Sequence, residues 1–368
     1  MKHPLNSLYL YLTDECNLKC IHCWQSAPLL GKGAPSNLSF AQCKNFLDTA
    51  RSMGLKSVTF SGGEPLLNRD FKLFTEYFFE NAIWMNIETN GIFISSPEIR
   101  KAIIDYKIYC AVSLDGINPE THNKQRGNTN AHQMTVQGID YLEQEKLNFQ
   151  LIMTISRVNY HELKPLLEWV SGRYKYCTKF KINIVSVMGR AEEMHKNGML
   201  FAVEELPVIC DEIAVLFHKY PFLTLHVDPS FVSFKNFKLK YTCGGYCGYN
   251  SSISILANGN ISICSLGKQM DKYTFGHVSN IDLQDVWENH PTLKEIHEAQ
   301  YHQLKGVCAN CIFKRQCYGG CRAEALCASG DFFAPHPRCQ ALYDAGKFSE
   351  ARLINGLASQ PNDAEEMK

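Results

Sequence analysis

The sequence predicts an α/β chain: a partial (β/α)6 barrel followed by a smaller, cysteine-rich domain. Three observations carry that expectation. From residue 7 to about residue 226, short apolar runs alternate with amphipathic stretches, the pattern of strand–helix units that builds a parallel sheet with right-handed crossovers. After about residue 235 this alternation gives way to short elements rich in glycine and cysteine. The chain also holds 16 cysteines among its 368 residues, too many for packing alone in a reducing compartment.

Leu8–Leu12 reads as the first strand. A helix follows from Ser39, where Ser39 and Gln42 make a capping box. Ala41, Cys43, Phe46, Leu47, Ala50 and Met53 form its buried stripe, and Gly54 suits the left-handed position at its end. Cys43 is accordingly a core residue. Further strands are expected at Ser57–Phe60, Ile83–Glu88, Ile108–Leu114, Phe149–Ile155 and Phe180–Val185, with helices that include Asp70–Phe79, Ala131–Glu145 and Asn159–Ser171. Six such units close only part of an eight-unit barrel. In the second part, Ser252–Leu256 and Asn260–Cys264 flank Asn258-Gly259, a strong hairpin signal. Ile281–Glu298 reads as one helix, and a cysteine-dense segment runs from Cys308 to Cys339. The expected divisions are 7–234 for the barrel, 235–345 for the second domain and 346–368 for a tail, frayed over Gln360 to Lys368.

Lysine plus arginine balance aspartate plus glutamate at 37 each, which argues against the broad basic face that nucleic acid requires. The apolar run Leu8–Leu12 is too short for a signal-peptide core, and no apolar stretch approaches membrane-spanning length. A cytoplasmic protein that binds neither nucleic acid nor membrane is expected. Disulfides need an oxidising compartment, so the cysteines are best read as metal ligands.

Cys16, Cys20 and Cys23 are spaced C-x3-C-x2-C on one short loop. A [4Fe–4S] cluster normally takes four thiolates, so three leave one iron open to bind a small molecule. A structural zinc site instead needs four ligands in tetrahedral convergence, and His22, adjacent to Cys23, is poorly placed to be the fourth. The spacing resembles the signature of the radical S-adenosylmethionine (radical SAM) enzymes. That resemblance implies an open barrel, a cluster that chelates SAM, and a 5′-deoxyadenosyl radical formed by its reductive cleavage.

Ser61-Gly62-Gly63-Glu64-Pro65 follows the second strand. Two glycines there allow close backbone approach to a ligand, and the stretch matches the family motif that receives the SAM amino group. By the same resemblance, Glu88 and Asn90 at the end of the third strand would hold ribose hydroxyls. Ser113 and Arg126 would hold the SAM carboxylate, a task suited to the planar fork of arginine. His22 would pack near adenine, and the Gly189-Arg190-Ala191 stretch would add backbone contacts to it. Taken alone, polar residues at strand ends cap helices and close turns.

A second constellation, Cys308-x2-Cys311-x5-Cys317-x3-Cys321, is followed by Cys339 and preceded by Cys243, Cys247 and Cys264. It resembles the SPASM extension of peptide- and protein-modifying radical SAM enzymes, a domain of auxiliary clusters. These eight cysteines suffice for two fully ligated [4Fe–4S] sites. The family's interleaving assigns Cys243, Cys247, Cys264 and Cys321 to the first, and Cys308, Cys311, Cys317 and Cys339 to the second. Cys43, Cys110, Cys177 and Cys210 fall in regular elements and read as thiols without a metal role. Cys327, beyond the ligand run, is the candidate hydrogen-atom donor.

The resemblance implies hydrogen abstraction from a peptide or protein substrate, best read as maturation of a ribosomally made peptide by crosslinking, epimerisation or backbone excision. Sulfatase maturation, in which a formylglycine is formed, is an alternative, but those relatives place an aspartate base where this chain has Ser265. Tetrapyrrole side-chain modification is another alternative. An iron–sulfur electron carrier would not need the Gly62-Gly63-Glu64 pocket. The implied partners are a precursor peptide and an external electron donor of flavodoxin or ferredoxin type. Because the first strand begins within ten residues of Met1, leader recognition is expected from a separate protein or by direct contact. An exposed sheet edge could take up a peptide as an added strand.

Overall fold

The computed structural model describes residues 3–32, 34–226, 231, 233, 247–265, 270–299 and 301–354. Cys243 and the stretch from Gln360 to Lys368 lie outside the described residues. The chain forms two compact units that interleave in sequence: Met1–Met199 with Gly248–His297, and Leu200–Cys247 with Glu298–Lys368. The expected boundary at 234 is therefore not where the units part. Residues from Leu200 onward leave the first unit early, and the hairpin segment returns to it.

The first unit runs β1 (Ser7–Thr13), α1 (Phe40–Ser52), β2 (Ser57–Gly62), α2 (Phe71–Glu80), β3 (Trp84–Thr89), α3 (Pro97–Asp105), β4 (Tyr109–Ser113), α4 (Pro119–Arg126), α5 (Ala131–Gln144), β5 (Phe149–Ile155), α6 (Leu163–Arg173), β6 (Cys177–Ile184) and α7 (Ala191–Lys196). All six expected strands are present, paired in parallel and in chain order. Ser39 sits at the N-cap of α1, but its hydroxyl makes no capping bond. The carboxylate of Asp70 accepts from the Phe40 N–H instead, at 2.9 Å. A residue brought alongside by the fold has replaced the local cap.

Successive parallel neighbours with right-handed crossovers place the connecting helices on one face of the sheet. That face is apolar and buried: Leu8, Leu10, Leu12, Val58, Phe60, Met85, Ile87, Cys110, Val112, Phe149, Leu151, Met153, Phe180 and Ile182. Because side chains alternate along a strand, the opposite face carries Tyr9, Tyr11, Thr59, Ser61, Asn86, Glu88, Tyr109, Ser113, Gln150, Thr154, Lys179, Lys181 and Asn183. Parallel strands covered on both faces read as continuous apolar runs. Here every second residue is mostly polar, as an open half-barrel requires.

Next in the chain come α8 (Leu206–Lys219) and β7 (Leu223–His226) of the second unit, before the first unit resumes with β8 (Ser252–Ile255), β9 (Asn260–Ser262) and β10 (Thr274–His277). The Asn258-Gly259 hairpin forms as expected, with Ser254 opposite Ser262 and Ile255 opposite Ile261. Its placement was not legible beforehand: β8 pairs in parallel with β1, Leu8 against Ile253 and Leu10 against Ile255. The edge of β1 is thus taken, and no peptide can add a strand there. The single helix expected over Ile281–Glu298 is two, Leu283–Asn289 and Pro291–Ala299. Pro291 disfavours helical geometry at the residue before it, and His290 is extended at ψ 125°.

The second unit holds helices Gly306–Ala309, Lys314–Cys317, Arg322–Ser329 and Pro337–Asp344. Arg322 is buried and donates from Nη1 to the carbonyls of Phe332 and Ala334 at 3.0 and 2.7 Å, and from Nη2 to that of Gly319. The expected tail from residue 346 is part of this unit as far as residue 354: Phe348 and Arg352 are buried, and the Ile354 N–H donates to the Asn310 carbonyl at 2.7 Å. No helix among the described residues is long and apolar enough to cross a membrane.

Candidate active site

The loop after β1 carries Cys16, Cys20 and Cys23, and the surrounding elements hold it by its backbone. The carbonyls of Arg126 and Gln125 at the end of α4 accept from the N–H groups of Lys19 and Ile21 at 3.2 and 2.9 Å. Carbonyls in a helix's last turn lack intrahelical partners, so α4 offers acceptors where the loop has donors. On another side the Arg190 guanidinium donates to the carbonyls of Cys20 and Ala27 at 2.7 and 2.9 Å, and its backbone N–H to that of Cys23 at 3.0 Å. Arg190, in the stretch expected near adenine, thereby braces the loop.

Gly62 and Gly63 also meet the loop. The Gly63 and Glu64 N–H groups donate to the carbonyls of Thr13 and Glu15 at 2.7 and 2.8 Å, and a Cβ on Gly63 would overlap the Glu15 carbonyl. The close approach these glycines permit is therefore, in this structure, to the loop's own backbone. Gly63→Ala is expected to unseat the loop, costing about 1–3 kcal/mol as overpacking does and lowering iron uptake. Denaturant melts with iron analysis check this, and unchanged values for both would show the contact to be slack.

The three cysteines pack into one cluster with Leu18, Ala27, Ala131 and Ile92. The Leu18 N–H donates to Cys16 Sγ at 3.4 Å, and Arg126 Nη1 to Cys20 Sγ at 3.7 Å. Burial pushes the Cys16 thiol up to about 12 and raises that of Cys20 as well, against the pull of Arg126. Metal-free, these two thiols hold their protons, and ligation releases them. Three thiols gathered in one cluster on a single short loop are a donor set that fits a [4Fe–4S] cluster with one iron left open.

Glu64 is buried beside this cluster, with its carboxylate accepting from Thr89 Oγ1 at 2.7 Å, the Asn90 N–H at 2.9 Å and the Leu66 N–H at 3.3 Å. Burial raises it to about 7 despite these bonds, leaving a carboxyl poised to gain from a cationic ligand. Asn90, expected at the ribose, donates to Asn17 Oδ1 at 2.8 Å and accepts from the Ile92 N–H at 3.1 Å. Its side chain thus ties the third strand's end to the cysteine loop. Glu88 lies on the open face, where Tyr9 and Ser61 donate to it at 3.4 and 3.2 Å. Ser113 is half-buried on the same face at the end of β4.

Arg126 is buried, with Nε 2.7 Å from Asp115 Oδ2. Burial alone would push the Asp115 carboxyl up, but Arg126, His22 and His122 hold it below its usual range. His22 directs its interactions at the same region: Nδ1 lies 3.3 Å from Gln125 Oε1 and Nε2 3.9 Å from Asp115 Oδ2, and burial lowers its imidazole to about 4. His122, also buried and lowered to about 3, accepts from the Asp115 N–H through Nδ1 at 3.1 Å. Sequence reasoning did not find Asp115, His122 or Gln125, nor Gln25, which donates from Nε2 to the Gly62 carbonyl at 3.1 Å. Asp115 stands two residues beyond the end of β4, whereas nothing local marks His122 and Gln125 on α4.

In the second unit Cys308, Cys311 and Cys339 are buried and Cys317 and Cys321 half-buried. The His336 N–H donates to Cys308 Sγ at 3.4 Å. Of the ligands expected for the other auxiliary cluster, Cys264 lies in the first unit and Cys247 and Cys321 in the second. Cys43, Cys110, Cys177 and Cys210 are all buried in regular elements, as expected. Cys327 is exposed on helix Arg322–Ser329, an open position ill suited to selective quenching of a radical.

Residues 10–170 match the Radical SAM superfamily, and residues 243–312 the SPASM iron-sulfur cluster-binding domain. The chain is a radical SAM enzyme with a SPASM domain. Its cofactors are [4Fe–4S] clusters and SAM. Among the proteins this radical SAM chain is similar to is the AdoMet-dependent heme synthase of Methanosarcina barkeri, 25% identical over 91% of this chain and 96% of that one. Another is the mycofactocin maturase MftC of Mycolicibacterium smegmatis, 26% identical over 93% and 84%. In fold it resembles Streptococcus suis SuiB bound to S-adenosylmethionine, with a TM-score of 0.69 at 18% identity over 92% of this chain and 78% of that one.

Proposed function

We propose that this radical SAM enzyme abstracts hydrogen from a peptide during its maturation. The observation that carries the reading is the polar face of the first unit's sheet, opposite the connecting helices. From β1 to β6 it spans five interstrand spacings of about 4.8 Å, room for about seven extended residues. The similarity to a mycofactocin maturase supports it. The similarity to heme synthases favours tetrapyrrole modification as a second reading. Formylglycine formation lacks support at Ser265, which is buried and no base at neutral pH.

When bound, the cluster and SAM supply a 5′-deoxyadenosyl radical. The chain's own part is to hold and shield them. In this reading Cys16, Cys20 and Cys23 ligate the SAM cluster, Glu64 receives the SAM amino group, and Ser113 and Arg126 its carboxylate. Glu88 serves the ribose and His22, neutral and half-buried, packs near adenine. Cys308, Cys311, Cys317 and Cys339 ligate one auxiliary cluster; Cys247, Cys264 and Cys321, with Cys243, ligate the other. An external flavodoxin- or ferredoxin-type donor delivers electrons, and a separate protein or direct contact recognises the leader.

Incubating the reduced enzyme with deuterium-labelled candidate precursor peptides, and separately with labelled porphyrins, tests substrate class. Deuterium is expected in 5′-deoxyadenosine from a peptide. Transfer from a porphyrin alone would establish the second reading.

A further inference from the structure

The open face of the first unit carries two cations that no described residue pairs with a counter-charge. β6 alternates Phe180 and Ile182, buried on the helix-covered face, with Lys179, Lys181 and Asn183 opposite. Its register against β5 pairs Lys179 with Gln150, Lys181 with Ile152 and Asn183 with Thr154. One strand further, Ala111 pairs with Gln150 and Ser113 with Ile152. Lys181 therefore shares a rung with Ser113, two strands or about 10 Å away. Lys179 shares the next rung with Glu88, which pairs with Ala111.

Neither ammonium forms an ion pair or hydrogen bond with a described residue. Glu88 is the one acid on this face of β1–β6. It lies three strands from Lys179, about 14 Å, and already accepts from Tyr9 and Ser61. Residues two apart on one strand face stand about 7 Å from each other, so the two lysines repel across a short gap. Lys181 is also half-buried, where a charge without a partner is costly. Gln150, Thr154 and Asn183 around them supply neutral hydrogen-bonding groups and no anion. An anion placed between the ammonium groups relieves both costs.

We propose that Lys179 and Lys181 bind a carboxylate of the substrate, anchoring it on the β6 wall of the open face. The inference rests on the peptide reading for what carries the carboxylate: an acidic side chain or a free C-terminus. The lysines themselves specify only the anion.

The reconstituted holoenzyme with SAM is tested against two pairs of probes by saturation-transfer NMR titration. One pair is an N-acetylated pentapeptide amide with a central glutamate and its glutamine counterpart. The other is coproporphyrin and its methyl ester. The glutamate peptide is expected to bind about tenfold to a hundredfold tighter than the glutamine peptide, the range for charge-assisted bonds. That preference should vanish in K179Q/K181Q and return in K179R/K181R; polar exchanges of this kind, away from the core, leave the fold intact. A lysine-dependent preference seen only with the porphyrin would uphold the carboxylate site and overturn its peptide carrier. No preference with either pair, or one that survives K179Q/K181Q, overturns the inference. So does a matching loss of SAM affinity, which would assign the lysines to SAM's own carboxylate.

Discussion

Replacing Cys16, Cys20 and Cys23 together with alanine is expected to lower the iron of anaerobically reconstituted protein from about twelve to about eight per chain, since each four-iron cluster depends on its thiolates. Reductive SAM cleavage should fall to the uncatalysed background. The loop itself should survive. Its seat is made of backbone bonds to Arg126, Gln125 and Gly63 and of the Arg190 guanidinium, none of which involves a thiol. The loss of iron is therefore a ligand effect and not unfolding, and unchanged circular dichroism with a retained auxiliary-cluster spectrum separates the two. Iron analysis and chromatography of 5′-deoxyadenosine give the readout. Zinc in place of iron in the wild-type protein would overturn the cluster assignment.

Arg126→Ala is expected to have the second-largest effect, because it strikes stability and SAM binding at once. Asp115 is fully buried, and its Oδ2 lies 2.7 Å from Arg126 Nε. Removing one partner of a buried ion pair leaves an uncompensated charge, at a cost of about 3–5 kcal/mol. The pH dependence has a definite sign. Asp115 is held below the usual carboxylate range by Arg126 and its histidine neighbours once the cost of burial is overcome. Its contribution is therefore present above the unfolded value of about 3.9 and is lost as pH falls through the lower folded value. The variant should be much weaker than wild type at neutral pH and converge with it in acid. Asp115→Asn/Arg126→Gln should recover most of the stability without recovering SAM affinity. An unchanged dissociation constant for SAM in Arg126→Ala would confine the arginine to a structural role.

The hairpin shows where sequence reasoning stops. Asn258-Gly259 announces the turn, and β8 and β9 form around it. Nothing in those residues says that β8 will lie parallel to β1, since that pairing joins segments separated by most of the chain. Truncation near residue 240 would strip this cover from β1 and expose its edge. The same limit applied to Ser39: its hydroxyl suited the start of α1, yet Asp70 supplies the cap. Local propensity marked the helix start, and tertiary contact chose the acceptor.

The open face is written into the strands themselves. Leu8, Leu10 and Leu12 alternating with Tyr9 and Tyr11 is already a one-sided pattern, and the same alternation runs through β6 with its two lysines. Asn90 and Arg190 stand beside the cysteine loop as strand-end residues should, but their donors turn toward its backbone and side chains. Side-chain direction depends on what the fold brings near, which a strand-end position does not state.

The chemistry of this protein is local: the C-x3-C-x2-C spacing, the Gly62-Gly63-Glu64 stretch and the later cysteine run are short-range patterns, legible without any knowledge of the fold. How that chemistry is held depends on long-range contacts. Arg126 on Asp115 and Cys20, Arg190 on Cys20 and Ala27, Tyr9 on Glu88, and β8 on β1 join residues that the linear order does not place together. Such contacts form only where the fold brings their partners together out of water, an environment no local segment has alone.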